Sequence, residues 1–279
     1  MVGFQEKVVE ILYKQRDIEH QAILDWLTST DYTSQQSDSI RRRQPGTGEW
    51  LLESNEFQEW VTQIKQILFC PGIPGAGKTI ITSIVVDNLC RRFQDDTTVG
   101  IAYIYCNFRL QQEQDPTELL LSLLKQFAQG QPTIPDCVKK LHGNHKQRTR
   151  PSLDEILDAL KSIITGYSKA FIIIDALDEY KSSDGFRSTF MSEIFSLQAE
   201  TRANLFATSR FIPDIENEFK GKGAISLEIR ASDDDVRRYL DGHISRLPLL
   251  IQENCELEDK VKAAIVKAAG GMYVHYRPF

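Results

Sequence analysis

The 279-residue chain lacks most of what would tie it to a membrane, a disulfide framework or a polyanion. Its five cysteines (Cys70, Cys90, Cys106, Cys137, Cys255) are odd in number and form no C-x-x-C pair. That pattern excludes a fully paired disulfide scaffold and fits reduced thiols. Cys137 with His142 and His145 is the nearest approach to a metal cluster, but one thiol and two imidazoles fall short of the four ligands of a structural zinc. No apolar run reaches the length of a membrane span, and Met1-Val2-Gly3-Phe4-Gln5-Glu6-Lys7 has neither the basic start nor the apolar core of a signal peptide. A cytoplasmic protein without a membrane span is expected. Positive charge is not in excess, since 33 Lys and Arg against 39 Asp and Glu leave a net charge of −6. No global field draws the chain to a polyanion, so nucleic acid is not expected as a partner. The short run Arg41-Arg42-Arg43 reads as the solvated end of a linker. An Asn-Lys-x-Asp stretch that would read guanine is also missing.

What the chain does have is centred on Leu68-Phe69-Cys70-Pro71-Gly72-Ile73-Pro74-Gly75-Ala76-Gly77-Lys78-Thr79. An apolar run, Ile67 to Cys70, breaks into a glycine-rich turn and then into a helical pattern with Ile81, Ile84, Val85 and Leu89 on one face. This matches G-x-x-x-x-G-K-[ST] in its required strand–loop–helix context. Gly72, Ile73, Pro74, Gly75, Ala76 and Gly77 form a loop whose backbone N–H groups can face a phosphate chain at a helix N-terminus. Lys78 supplies a mobile point charge for the β- and γ-phosphates, and the Thr79 hydroxyl is placed to ligate the accompanying Mg²⁺.

The remaining chain alternates strands and helices. A helix from Glu6 to about Leu27 carries Val8, Ile11, Ile18 and Ala22 at helical spacing, and Thr28 to Arg43 reads as a polar linker. A helix from Phe57 carries Val61, Ile64 and Ile67. Val99 to Cys106, Phe171 to Ile174, Asn204 to Thr208 and Ile225 to Ile229 read as strands. Asp115-Pro116-Thr117-Glu118 and Ser152-Leu153-Asp154-Glu155 read as helix starts. The segment from Gln129 to Arg150 reads as a polar surface excursion. Helices are expected after Ser232 and over Val261 to Ala269, with Gly270-Gly271 as a stop. The pattern predicts an α/β fold, a three-layer parallel sheet of P-loop NTPase type with N-terminal helices and a small C-terminal helical bundle. The expected divisions are 1–45 (helix and linker), 46–230 (nucleotide-binding domain) and 231–279 (partial helical domain).

Phe171-Ile172-Ile173-Ile174 runs straight into Asp175-Ala176-Leu177-Asp178-Glu179. Asp175, at the strand's carboxyl end, is suited to hold Mg²⁺ opposite Thr79. Asp178 and Glu179 are placed to polarise a water for attack on the γ-phosphate, with Glu179 the first choice as base. Arg210, in Thr208-Ser209-Arg210, ends another strand on the same edge. It lies beside the terminal phosphate if its strand inserts between the phosphate-loop strand and the Asp175 strand.

The ordered set of Gly72 to Thr79, Asp175 to Glu179, Thr208 to Arg210 and the helical tail resembles the NACHT-type STAND ATPases, in particular their fungal branch. The lead-in Gly46-Thr47-Gly48-Glu49-Trp50 resembles the segment before the phosphate loop in that branch. The resemblance implies a signal-transduction switch of an innate-immunity-like kind that takes ATP and ADP with Mg²⁺, hydrolyses ATP slowly to reset, and assembles with itself or a protein partner on activation. It also implies adenine contacts at Thr47 and Gly48. Similar proteins continue beyond a segment like Gly271-Met272-Tyr273 into a winged helix. Without that closure the site is expected to exchange nucleotide without a trigger. A nucleotide-binding scaffold with negligible turnover and a small-molecule kinase stand as alternatives.

Overall fold

A computed structural model describes residues 2–110, 114–145, 149–180, 185–243 and 254–269. The elements run α1 (Val2–Leu27), α2 (Thr33–Arg41), α3 (Glu49–Glu53), α4 (Asn55–Thr62), β1 (Ile67–Pro71), α5 (Lys78–Arg92), β2 (Val99–Tyr105), α6 (Pro116–Gln129), α7 (Asp136–Asn144) and α8 (Leu153–Gly166). They continue with β3 (Lys169–Asp175), α9 (Phe186–Glu200), β4 (Ala203–Ser209), α10 (Pro213–Gly221), β5 (Ile225–Ser226), α11 (Asp233–Gly242) and α12 (Cys255–Ala269).

The five strands form one parallel sheet in the order β2-β3-β4-β1-β5. Central strands of such a sheet are covered on both faces, so they need apolar residues at every position rather than at every second one. β1 and β4 are buried along their whole length. Alternate residues then feed different cores. Ile67, Phe69, Ala170, Ile172, Ile174, Leu205 and Ala207 face a layer made by the end of α1 and by α6 to α10. Leu68, Cys70, Phe171, Ile173 and Phe206 face α3, α4 and α5. This is the three-layer α/β arrangement expected from the sequence. Trp60 of α4, fully buried, packs its ring on Phe171 and Phe206 and donates its indole N–H to the Leu205 carbonyl at 3.0 Å.

Helix starts follow their sequence signals. The Asp115 carboxylate accepts from the Glu118 N–H at 2.8 Å with Pro116 in the first turn, and Ser152 with Glu155 makes a reciprocal capping box. Elsewhere the fold corrects the sequence reading. Ile18 is 71% exposed and Ala22 is exposed, while Ile23, Leu24 and Leu27 are buried, because among the described side chains of α1 those of its last turns face the domain. Thr28 to Arg43 contains α2 rather than a plain linker. Its burial is polar: Gln36 donates to the Ser83 carbonyl at 2.9 Å and accepts from the Tyr105 hydroxyl. α4 stops at Thr62, which leaves Ile64 46% exposed and puts Ile67 into β1. Gln129 to Arg150 holds α7, whose Val138 and Leu141 are buried with Ile134. β5 is two residues long, though Leu227 and Ile229 still donate to the Phe69 and Pro71 carbonyls. Helices after Ser232 and over Val261 to Ala269 are present as α11 and α12, whose apolar residues share a cluster of Ala231, Val236 and Val266. Gly270-Gly271 and Gly271-Met272-Tyr273 lie outside the described residues.

Candidate functional site

The carboxyl ends of β1, β3 and β4 meet at one edge of the sheet, where open α/β sheets place their ligands. β1 delivers the chain into Gly72, whose N–H donates to the Ser209 carbonyl at 3.0 Å. A Cβ on Gly72 would sit 2.6 Å from the Ile229 carbonyl oxygen, a backbone atom that cannot yield, so only glycine fits there. The loop closes at Gly77, which caps α5 with φ of 87°, a left-handed conformation that a larger residue resists. No side chain caps this helix, so its first turn presents N–H groups and the positive end of the helix dipole to the loop.

Lys78 folds back over the loop, its ammonium donating to the Gly72 and Ile73 carbonyls at 2.8 and 3.0 Å. Burial pushes its pKa below the usual lysine value, against the pull of Asp178 and Asp175. Thr79 donates to Asp175 Oδ2 at 2.7 Å. Asp175, 1% exposed, also accepts at Oδ1 from Thr82 at 2.7 Å and from Thr208 at 2.8 Å. Burial raises its pKa, and the three hydroxyls together with Lys78 oppose the rise. A hydroxyl and a carboxylate side by side are hard oxygen donors of the kind Mg²⁺ takes when it keeps waters and phosphate oxygens as its other ligands. Among the described residues no three His, Cys, Asp or Glu side chains gather to hold a metal on their own.

After Asp175 the chain turns through Ala176 at φ 52° and ψ 47°, the only non-glycine besides Lys65 with positive φ among the described residues. The turn is closed by the Glu179 N–H on the Ala176 carbonyl at 2.8 Å. The Asp178 side chain is 2% exposed and gripped by Arg210, whose backbone N–H and Nε donate to it at 2.8 and 2.5 Å. Glu179 is half-buried. Burial raises its pKa first, the neighbouring Asp178 and Asp175 carboxylates add to the rise, and the Phe108 N–H opposes it. A left-handed conformation costs an L-residue about 1–2 kcal/mol and is worse for a β-branched side chain. Ala176→Val is therefore expected to lower stability by about 2 kcal/mol, whereas Ala176→Gly stays within about 1 kcal/mol of wild type. Urea denaturation in which valine is tolerated as well as glycine contradicts this.

The structure thus brings Gly72 to Thr79 and Asp175 together, with Glu179 close behind. β4 does insert between β1 and β3, so Arg210 lies on the same edge. It also separates two residues that the sequence treats alike, because Asp178 is consumed by Arg210 and Glu179 is not. Thr82 and Thr208 were not singled out as ligands of Asp175. Thr82 was detectable as a threonine one turn beyond Lys78, whereas Thr208 needed the strand order. At the lead-in, Thr47 turns its hydroxyl to the Gln44 carbonyl at 2.8 Å, and the Gly48 N–H donates to the Asp235 carboxylate at 3.1 and 3.2 Å. Both groups expected to face a base are engaged within the protein. His145 is bonded to Thr149 and Glu155, and His142 lies edge-on to Trp26.

The family model described as nephrocystin 3, N-terminal, matches residues 46–210, well over half of the chain, from the lead-in through Arg210. No curated protein matches the chain. Similar solved structures include the ORC2 protein of Aeropyrum pernix in ADPNP–ADP complexes, 15% identical with a TM-score of 0.48, covering 72% of this chain and 51% of that one. The Walker-type ATPase PABY2304 of Pyrococcus abyssi is 14% identical at a TM-score of 0.48, covering 80% and 64%. The ORC1 protein of Aeropyrum pernix in complex with DNA is 17% identical at a TM-score of 0.43, covering 80% and 53%. The chain spans about half the length of the two ORC proteins. The expectation that nucleic acid is excluded as a partner is corrected by the last of these, a protein solved with DNA bound. Net charge averages over a whole surface, while a polyanion responds to the local field. Among the described residues no helix is long and apolar enough to cross a membrane.

Proposed function

Because the chain belongs to the nephrocystin 3 N-terminal family, we propose that it is a nucleotide-dependent switch that binds ATP and ADP with Mg²⁺ and hydrolyses ATP slowly. The observation that carries this reading is the Thr79–Asp175 pair at 2.7 Å, set beside a lysine and a glycine-capped helix N-terminus. In this reading Lys78 leaves the Gly72 and Ile73 carbonyls for β- and γ-phosphate oxygens, and the loop N–H groups hold the phosphate chain. Thr79 and Asp175 would hold Mg²⁺, which when bound neutralises charge developing on the phosphates. Glu179 accepts the proton of the attacking water, a role suited to its raised pKa. Arg210 and Asp178 act as a pair, the guanidinium facing the terminal phosphate and the carboxylate aiming it. Residues 46–230 form the nucleotide unit, flanked by a segment at 1–45 that carries α1 and α2 and an extension at 231–279 that carries α11 and α12. The NACHT-type STAND character, and its fungal branch, remain part of this proposal on the motifs Gly72 to Thr79, Asp175 to Glu179 and Thr208 to Arg210.

A thermal melt tests the reading. Added ATP with Mg²⁺ is expected to raise the melting temperature with ligand concentration, reaching about 2.7 kcal/mol of stabilisation at a hundred times Kd by mass action. GTP should do so less. A melting temperature unmoved by millimolar ATP overturns it.

A further inference from the structure

The end of β4 holds the chain at and just beyond the end of β3 at two separate points. Arg210 grips Asp178. Two residues earlier, the Thr208 hydroxyl donates to Asp175 Oδ1 at 2.8 Å and accepts the Ala176 N–H at 2.9 Å. One fully buried hydroxyl therefore uses its single proton on the carboxylate and a lone pair on the residue whose left-handed backbone starts the Asp178–Glu179 turn.

The two oxygens of Asp175 are treated differently. Oδ1 receives Thr208 and Thr82, both fully buried, and the single Thr82 proton is shared with the Lys78 carbonyl at 3.0 Å. Among the described residues Oδ2 receives only Thr79, the partly buried threonine of the phosphate loop. A carboxylate with one oxygen tied by two hydroxyls cannot rotate freely, so the other is presented in a fixed direction. We infer that Thr208 is a positioning residue that anchors Asp175 through Oδ1, keeps Oδ2 aimed beside Thr79 for a divalent cation, and pins the Ala176 turn that carries Glu179. Thr82 performs the first of these tasks alone. The inference rests on the nucleotide reading, since it assigns a direction to a metal-facing oxygen. It adds a role for a fully buried side chain whose hydroxyl is spent on Asp175 and Ala176.

Thr208→Val keeps shape and removes the hydroxyl, while Thr208→Ser keeps the hydroxyl and removes the methyl. ATP affinity is measured by calorimetry in Mg²⁺ and again in EDTA, with single-turnover hydrolysis alongside. Thr208→Val is expected to stay within about twofold of wild type in EDTA, to lose about tenfold of the gain that Mg²⁺ gives, and to slow hydrolysis at least tenfold. Thr208→Ser should recover both. Thr82→Val should lose a similar part of the Mg²⁺ gain with a smaller loss of rate, because it does not touch Ala176. A Thr208→Val protein that keeps the full Mg²⁺ gain, or that loses affinity equally with and without Mg²⁺, overturns the inference. So does a serine variant that fails to recover. If Thr208→Val does not fold, an unchanged Mg²⁺ gain in Thr82→Val overturns it and a reduced one supports it. Wild-type protein that binds no ATP removes the nucleotide reading and this inference with it. Wild-type binding with unaltered variants removes this inference alone.

Discussion

Lys78→Ala is expected to lower affinity for ATP by at least about a hundredfold, some 2.7 kcal/mol, with little change in fold. The ammonium lies within 3.0 Å of two loop carbonyls, so in this conformation it is already over the phosphate loop. Arg210, on the same edge, spends its Nε on Asp178, so Lys78 is the cation held over the loop itself. Charge-assisted hydrogen bonds contribute about 1.5–3 kcal/mol each, and Lys78 is positioned to make more than one to the phosphates. Lys78→Arg is not expected to rescue, since a planar fork does not replace a compact ammonium that moves from the loop carbonyls onto phosphate oxygens. The pH dependence has a definite sign. Burial holds the Lys78 pKa below that of an ordinary lysine, so the charged form that binds phosphate is lost earlier as pH rises. Wild-type affinity should therefore fall on the alkaline side sooner than an exposed lysine would require. Calorimetry showing equal ATP affinity in wild type and Lys78→Ala sinks the phosphate-loop assignment.

The second large effect is on turnover. Glu179→Gln is expected to bind ATP within a few fold of wild type while hydrolysis drops by about 10²–10⁴, because the amide keeps the size of the side chain and removes the base. Asp178→Asn is expected to behave differently. It withdraws a buried acceptor from Arg210, so affinity for the triphosphate and turnover should both decline. The acid limb of the wild-type rate profile should lie above that of an ordinary glutamate. Desolvation and the two nearby aspartates raise the Glu179 pKa, and the base works only when ionised. Single-turnover assays with labelled ATP distinguish the two residues. Should Asp178→Asn lose turnover alone and Glu179→Gln lose binding, their roles are exchanged. A wild-type protein that binds ATP and turns none of it over favours the scaffold reading.

Local patterns carried much of this protein into view. The phosphate loop is contiguous, and its glycines announce backbone geometry without reference to anything distant. β1, β3 and β4 show as unbroken apolar runs because strands covered on both faces need them. α6 and α8 show through caps that satisfy their own first turns. What escaped was hidden by polar composition or held by long-range polar contact. α2 is polar in composition and holds its place through Gln36, which meets Ser83 and Tyr105, 47 and 69 residues away. α7 sits in a segment whose overall polarity hides the two buried positions that dock it. The site divides in the same way. Asp175 and Thr79 could be paired from their motifs, but Thr82 and Thr208 reach Asp175 across 93 and 33 residues, and Arg210 reaches Asp178 across 32. The Thr208 and Arg210 pairings exist because β4 lies between β1 and β3, and neighbour order in a parallel sheet is independent of chain order. The sequence by itself determined which groups are candidates to hold phosphate and a cation. The tertiary structure decided which of the three carboxylates is anchored by hydroxyls, which is gripped by a guanidinium and which is left half-buried, because burial and hydrogen-bond donors arrive from α5 and β4.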